Sequence, residues 1–211
     1  MSALSAESGE TSAQPQKKRT AIQGRPAATS HAIIEREAFR LFRERGFQET
    51  TVEAIAASVG IGRRTLFRYF ESKNDIPWGQ FDDSLEGFRK LLAQMPEDIP
   101  VHEAVHRGVV AFNDFDEGAM SQHRERMALI IRTPALQAHS VLRYADWRGV
   151  IADYVAKRLG LKSTDLLPQT VGQVSLAISL SAYEVWLNEP DALLLELLDE
   201  AMAGLRYYLT T

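Results

Sequence analysis

Residues 50–70 restrict what this chain can fold into more than any other stretch. Thr50 and Glu53 form a T-x-x-E capping box ahead of Val52, Ile55, Ala56 and Val59, whose side chains share one face of a short helix. Gly60 and Gly62 then bracket Ile61, and the segment 63–70 places Leu66 and Phe70 four residues apart on one side. Small Ala56, Gly60 at the turn and apolar Leu66 supply what two crossing helices need: close approach, a left-handed turn residue and a shared core. The spacing predicts a helix-turn-helix.

The flanking periodicity extends this reading. Ile34, Ala38, Leu41 and Phe42 recur at i, i+4, i+7 and i+8, so a helix begins after Ser30 and stops at Gly46. Beyond Ser72 the pattern stays helical, with breaks at residues 95–100, near Gly118, at Pro134, at residues 160–164 and at residues 188–190. Six further helices are predicted, over residues 72–94, 100–117, 119–132, 135–159, 165–187 and 190–209. No alternating strand of useful length interrupts them, so the expected fold is all-α. It divides into a basic arm over 1–29, disordered by its Ser, Ala, Gln, Gly and Pro content, a three-helix domain with the helix-turn-helix over 30–74, and a larger helical domain over 75–211. Pro77 either kinks a helix that starts at Ser72 or stands at the first turn of one that starts later.

Charge is segregated along the same boundary. The net charge is −4, yet residues 1–74 sum to +4 and the remainder to −8. Such a chain can present one anion-binding end while its body avoids polyanions. The absence of cysteine excludes a disulfide scaffold, an iron–sulfur cluster and a cysteine nucleophile, and no run of apolar residues is long enough for a membrane span. The protein is read as cytoplasmic, with no cofactor.

Arg63, Arg64, Thr65 and Arg68 lie away from the Leu66/Phe70 side of the third helix. Arg64 and Arg68 are like charges four residues apart, which weakens an isolated helix by about 0.2–0.5 kcal/mol. Helix stability does not account for them, whereas guanine edges and phosphates in a major groove do. Lys73, at a predicted helix N-terminus, is placed for phosphate, and Arg25, with Lys17, Lys18 and Arg19 in the arm, for backbone or minor groove.

These residues match a family pattern. The stretch TTVEAIAASVGIGRRTLFRYFESKNDI, residues 50–76, resembles the DNA-binding domain of tetracycline-repressor-like (TetR) regulators. The resemblance implies DNA contact at Thr50, Thr51, Arg63, Arg64, Thr65, Phe67, Tyr69 and Lys73, with Phe67 where the family commonly has tyrosine and Tyr69 where it has histidine. The continuation FRYFESKNDIPWGQFD resembles, more narrowly, the TetR-type regulators found with mycofactocin biosynthesis clusters. The resemblance implies a homodimeric repressor on a palindromic double-stranded operator, released by a small-molecule effector of acyl-CoA-like type.

The body is rich in large side chains suited to an adaptable pocket: Trp78, Phe81, Phe88, Phe112, Phe115, Met127, Tyr144, Trp147 and Trp186. Arg124, Arg126, Arg132, Arg143 and Arg148 could serve a phosphorylated ligand at its mouth or pair on the surface. The two C-terminal helices, with Leu193, Leu194, Leu195, Leu197 and Leu198 on more than one face, are expected to form an intersubunit four-helix bundle. One rival is enzymatic. His102, Glu103 and His106 spell the H-E-x-x-H pattern of zinc peptidases, with Glu125 available as a third ligand.

Overall fold

The computed structural model describes residues 30–210, and the predicted arm with Lys17, Lys18, Arg19 and Arg25 lies outside the described residues. Helices α1 (His31–Arg45), α2 (Val52–Ser58) and α3 (Arg63–Leu66) form a head, and a 3-10 helix (Lys73–Trp78) leads out of it. The body comprises α4 (Phe81–Ala93), α5 (Val101–Phe112), α6 (Glu117–Arg132), α7 (Pro134–Leu159), α8 (Leu166–Asn188) and α9 (Leu194–Thr210). No strand occurs among the described residues.

Local chemistry sets the ends of the head helices. Ser30 accepts from Ile33 N–H to cap α1, and Gly46 ends it at φ 83°, where a side chain would be strained. Gly60 takes the left-handed turn between α2 and α3 at φ 70°. The capping register differs from the T-x-x-E reading by one residue: Thr51, not Thr50, accepts from Ala54 N–H. After four α-helical residues α3 loosens into turns, with Phe70 N–H still bonded to Leu66 carbonyl.

Two apolar cores result. The head core joins Ile34, Ala38, Leu41, Phe42, Ile55, Leu66 and Phe70 to Ile76 of the 3-10 helix and to Leu136 of α7. The body core gathers Phe88, Leu92, Val109, Ile130, Trp147, Ile151, Tyr183 and Leu198. α7 serves both, because its N-terminal end plugs the head and its middle packs in the body. Its contact with α8 is close: a Cβ on Gly172 would lie 2.9 Å from the Arg148 carbonyl oxygen. Gly172→Leu is therefore expected to cost about 1–3 kcal/mol by forcing the two helices apart, read as a lower thermal midpoint. An unchanged midpoint would refute that crossing.

The single helix expected over 72–94 is two elements. Pro77 lies inside a tight 3-10 helix rather than kinking or opening an α-helix, and Gly79 at φ 56° turns the chain before α4 begins at Phe81. The ring at 77 removes an N–H donor, and the positive φ two residues later cannot continue a helix. The 3-10 helix also runs across the boundary expected at 74.

Candidate functional site

The outward side of α3 is cationic. Arg63, Arg64 and Arg68 are all exposed. Arg63 pairs with Glu53 at 2.9 Å and lies over the Phe67 ring at 5.3 Å. Both members of that pair are well exposed, so the bridge is worth little and gives way readily to a phosphate. Arg64 and Arg68 form no ion pair among the described residues. Thr65 is half-buried beside them, and Tyr69 is half-buried and edge-on to the His31 ring at 5.0 Å. Thr51 is exposed but holds the α2 cap.

Two residues expected at the DNA surface have other duties. Thr50 is fully buried, its hydroxyl donating to the carbonyls of Gly46 at 2.8 Å and Leu41 at 3.2 Å. Its side chain ties the α1–α2 loop to α1 and cannot reach a phosphate. Lys73 turns inward, its ammonium donating to the carbonyls of Phe47 at 2.8 Å, Thr50 at 2.9 Å and Gln48 at 3.3 Å, over the Phe47 ring. All three donors of a lysine are thereby used. Desolvation lowers its pKa, opposed by the nearby Glu49 carboxylate. Spacing alone could not reveal either role, because both depend on where the loop folds back.

The body encloses a cavity of about 580 Å³, within the range of small-molecule sites. Trp78, Phe81, Phe88, Phe112, Phe115, Met127, Tyr144 and Trp147 line it. Phe88 stacks on Trp147 at 5.5 Å, and Trp78 meets Tyr144 edge-on at 5.6 Å. Trp186, expected among them, does not line it. Its ring packs against Tyr183 and lies under the Arg124 guanidinium at 4.9 Å.

Polar lining residues come from three helices, and sequence reasoning missed Asn113 and His123 among them. His123 and Arg126 of α6, Asn113 just beyond α5 and Tyr183 of α8 converge there. Burial, and secondarily the nearby Arg126, push the His123 imidazole down to about 4, so it is neutral near pH 7. Burial raises the Tyr183 phenol, which stays protonated. A histidine set among aromatic positions was the available signal.

The arginines of α6 and α7 do not gather at a mouth. Arg124 donates to the carbonyls of Trp186 and Glu189, and Arg132 to that of Leu187, satisfying the C-terminal end of α8. Arg143 pairs with Asp75 at 3.2 Å, beside His139 on the same carboxylate. Arg126 alone of the five lines the cavity. It donates to Pro77 carbonyl at 2.9 Å and to Glu35 of α1 at 2.9 Å, so one guanidinium touches cavity wall, connecting turn and head.

The zinc-peptidase constellation does not assemble. His106 bonds Asp199 at 2.8 Å, Glu103 bonds Arg107 at 2.8 Å, His102 is exposed, and Glu125 pairs with Arg43 at 2.6 Å. Among the described residues no three His, Cys, Asp or Glu groups could hold a metal ion. His106 and Glu125 instead join α5 to α9 and α6 to α1, while Glu103 pairs within α5.

Comparison with known proteins decides the family. Residues 34–76 match the bacterial regulatory proteins of the tetR family, and residues 99–210 match the MftR C-terminal domain. The chain is 46% identical over 178 residues to the candidate mycofactocin biosynthesis transcriptional regulator MftR of Mycobacterium tuberculosis, covering 84% of this chain and 90% of that protein. This chain belongs to the TetR family of transcriptional regulators. It is also 30% identical over 165 residues to the HTH-type transcriptional regulator TcmR of Streptomyces glaucescens, covering 74% of this chain and 72% of that one. Among solved structures, Thermus thermophilus FadR in complex with lauroyl-CoA superposes with a TM-score of 0.55 at 21% identity, covering 82% of this chain and 92% of that one. The SmeT–triclosan complex gives 0.57 at 20% identity, with coverages of 82% and 90%. Both show the TetR fold. In this regulator the tetR match runs from within α1 into the 3-10 helix, and the MftR match spans α5 to α9. None of the described helices is long and apolar enough to cross a membrane.

Proposed function

We propose that this TetR regulator is a ligand-released repressor whose homodimer sets two α3 helices on the halves of a palindromic operator. The observation that carries it is Arg126, which lines the cavity and holds both Pro77 and Glu35 of the head. An effector that moves α6 thereby moves α1, and the operator affinity lost equals, by linkage, the difference in effector affinity between the two head positions. Likeness to the Mycobacterium tuberculosis MftR favours a mycofactocin gene cluster as target.

An apolar wall around about 580 Å³ suits the acyl part of an acyl-CoA-like effector. Three of the five arginines are committed to α8 carbonyls or to Asp75, so the chain rather than the phosphates supplies most of the binding. For the dimer, Leu167, Val174 and Val185 form an exposed stripe along α8, seven and eleven residues apart on one face. Paired with its copy through α8 and α9, the molecule would space its reading helices about 34–36 Å apart.

Operator binding tests the reading directly. Arg64→Ala is expected to weaken binding to the upstream DNA by about 1–3 kcal/mol and to relax base preference in a fluorescence-anisotropy titration. Lys73→Met is expected to act mainly on thermal stability, since its ammonium bonds the loop rather than the solvent side. Wild-type protein that ignores this DNA at low salt, or Arg64→Ala that binds like wild type, would overturn the proposal.

A further inference from the structure

The hydrogen bonds at the cavity wall fix which proton His123 carries. Asn113 Nδ2 donates to Val109 carbonyl at 2.8 Å, which leaves its Oδ1 facing Tyr183 as an acceptor only. The Tyr183 hydroxyl therefore gives its single proton to Asn113, at 2.5 Å. Its oxygen also meets His123 Nε2 at 2.6 Å and has no proton left for that contact. Nε2 must be the N–H. A neutral imidazole has only one, so Nδ1 is a bare lone pair.

That lone pair is unsatisfied. Nδ1 makes no hydrogen bond among the described residues. It is not sealed off either, because the only buried side-chain polar atom without a partner among the described residues is Trp78 Nε1. The ring lines the cavity, with Phe115 packed on it at 4.3 Å and Arg126 the charged group facing it. Protonation would convert Nδ1 to a donor, but burial and Arg126 disfavour it near neutral pH. Nδ1 of His123 is thus a fixed acceptor at the cavity wall.

We propose that His123 determines effector specificity, its Nδ1 accepting a hydrogen bond from a hydroxyl or amide N–H on the part of the effector that lies within the cavity. A ligand that can only accept would place its lone pair against that of Nδ1, and would bind more weakly. Tyr183 and Asn113 act as positioning residues that hold the tautomer. The inference rests on the cavity being the effector site, as proposed above.

Two probes of equal size separate the cases: n-decanol, which donates, and the methyl ketone of the same chain length, which only accepts. Binding to the full-length protein is read by calorimetry, or by fluorescence of Trp78 and Trp147 in the wall. The alcohol is expected to bind about tenfold tighter or more. Tyr183→Phe frees the imidazole to carry its proton on Nδ1, so the preference should collapse as the ketone gains affinity, a change that loss of packing alone would not produce. His123→Phe should abolish the preference while retaining both ligands. Equal binding of the two probes to the wild-type protein overturns the role of Nδ1 and leaves the cavity as an effector site. Absence of binding by either probe overturns the cavity reading as well.

Discussion

Replacing Arg126 by methionine is expected to lower the unfolding free energy by about 3 kcal/mol and to leave a repressor that binds its operator but no longer releases it. Both members of the Arg126–Glu35 pair are largely buried, with side chains 27% and 15% exposed. Removing one partner leaves the Glu35 carboxylate uncompensated, a larger loss than the net worth of the intact pair. The Pro77 carbonyl loses its donor too. Gly79 is packed against the same two side chains: a Cβ there would lie 2.8 Å from the guanidinium and 2.9 Å from the Glu35 carboxylate. Urea unfolding measures the first effect. Adding Glu35→Gln to Arg126→Met should restore part of the stability, because no buried charge is then left alone. For the second, the proposed release by an acyl-CoA-like effector is followed by anisotropy, with lauroyl-CoA as the probe. Release from Arg126→Met at the wild-type ligand concentration would show that the signal travels by another route, for which the Arg43–Glu125 bridge at 2.6 Å between α1 and α6 is the next candidate.

The second large effect is loss of stability in mild acid. His123 has a folded pKa of about 4 against 6.5 for an unperturbed histidine. Between those values the unfolded chain takes up a proton that the folded protein refuses, so the neutral-imidazole contribution is complete above pH 6.5 and is lost as pH falls toward 4. The difference corresponds to about 3 kcal/mol at the bottom of that window. Asp75 acts lower. Burial pushes its carboxyl up, but hydrogen bonds from Ser72, His139 and Arg143 prevail and hold it below 3.8, so its contribution survives until pH drops beneath that value. The two groups are separable by pH. Urea midpoints measured from pH 7 to 4 should fall in wild type and change much less in His123→Phe. Parallel curves would mean that His123 is solvated and titrates normally.

Much of the fold was legible because helices announce themselves locally. The stops at Gly46 and Gly60, the break at Pro134 and the ends of α7 and α8 follow from periodicity, proline and glycine acting over a turn or two. Errors arose where a side chain is satisfied by backbone outside its own helix. Thr50 looked like a cap because Glu53 follows at the right distance, yet two carbonyls of the preceding helix end claim its hydroxyl. Lys73 looked free for phosphate until the loop at 47–50 closed over it. The expected helix over 72–94 failed at a signal present in the letters, Pro77 followed by Gly79, which marks a tight turn and a new start.

The candidate site divides the same way. An inventory of aromatic and Met side chains placed eight of nine around one cavity, since large apolar residues on inward helix faces have few places to go. Their polar companions could not be listed from that inventory. Asn113, His123 and Tyr183 are separated by ten and sixty residues, and their proton order exists only when α5, α6 and α8 bring them together.

By itself the sequence determined the helices, the cationic reading element and the aromatic body, because each depends on residues within a few positions of one another. Only the tertiary structure decided which cations remain available and which are consumed, and where the cavity touches the head. Hydrogen bonds and ion pairs select among partners that chain closure makes simultaneous neighbours, and no short-range pattern records that choice.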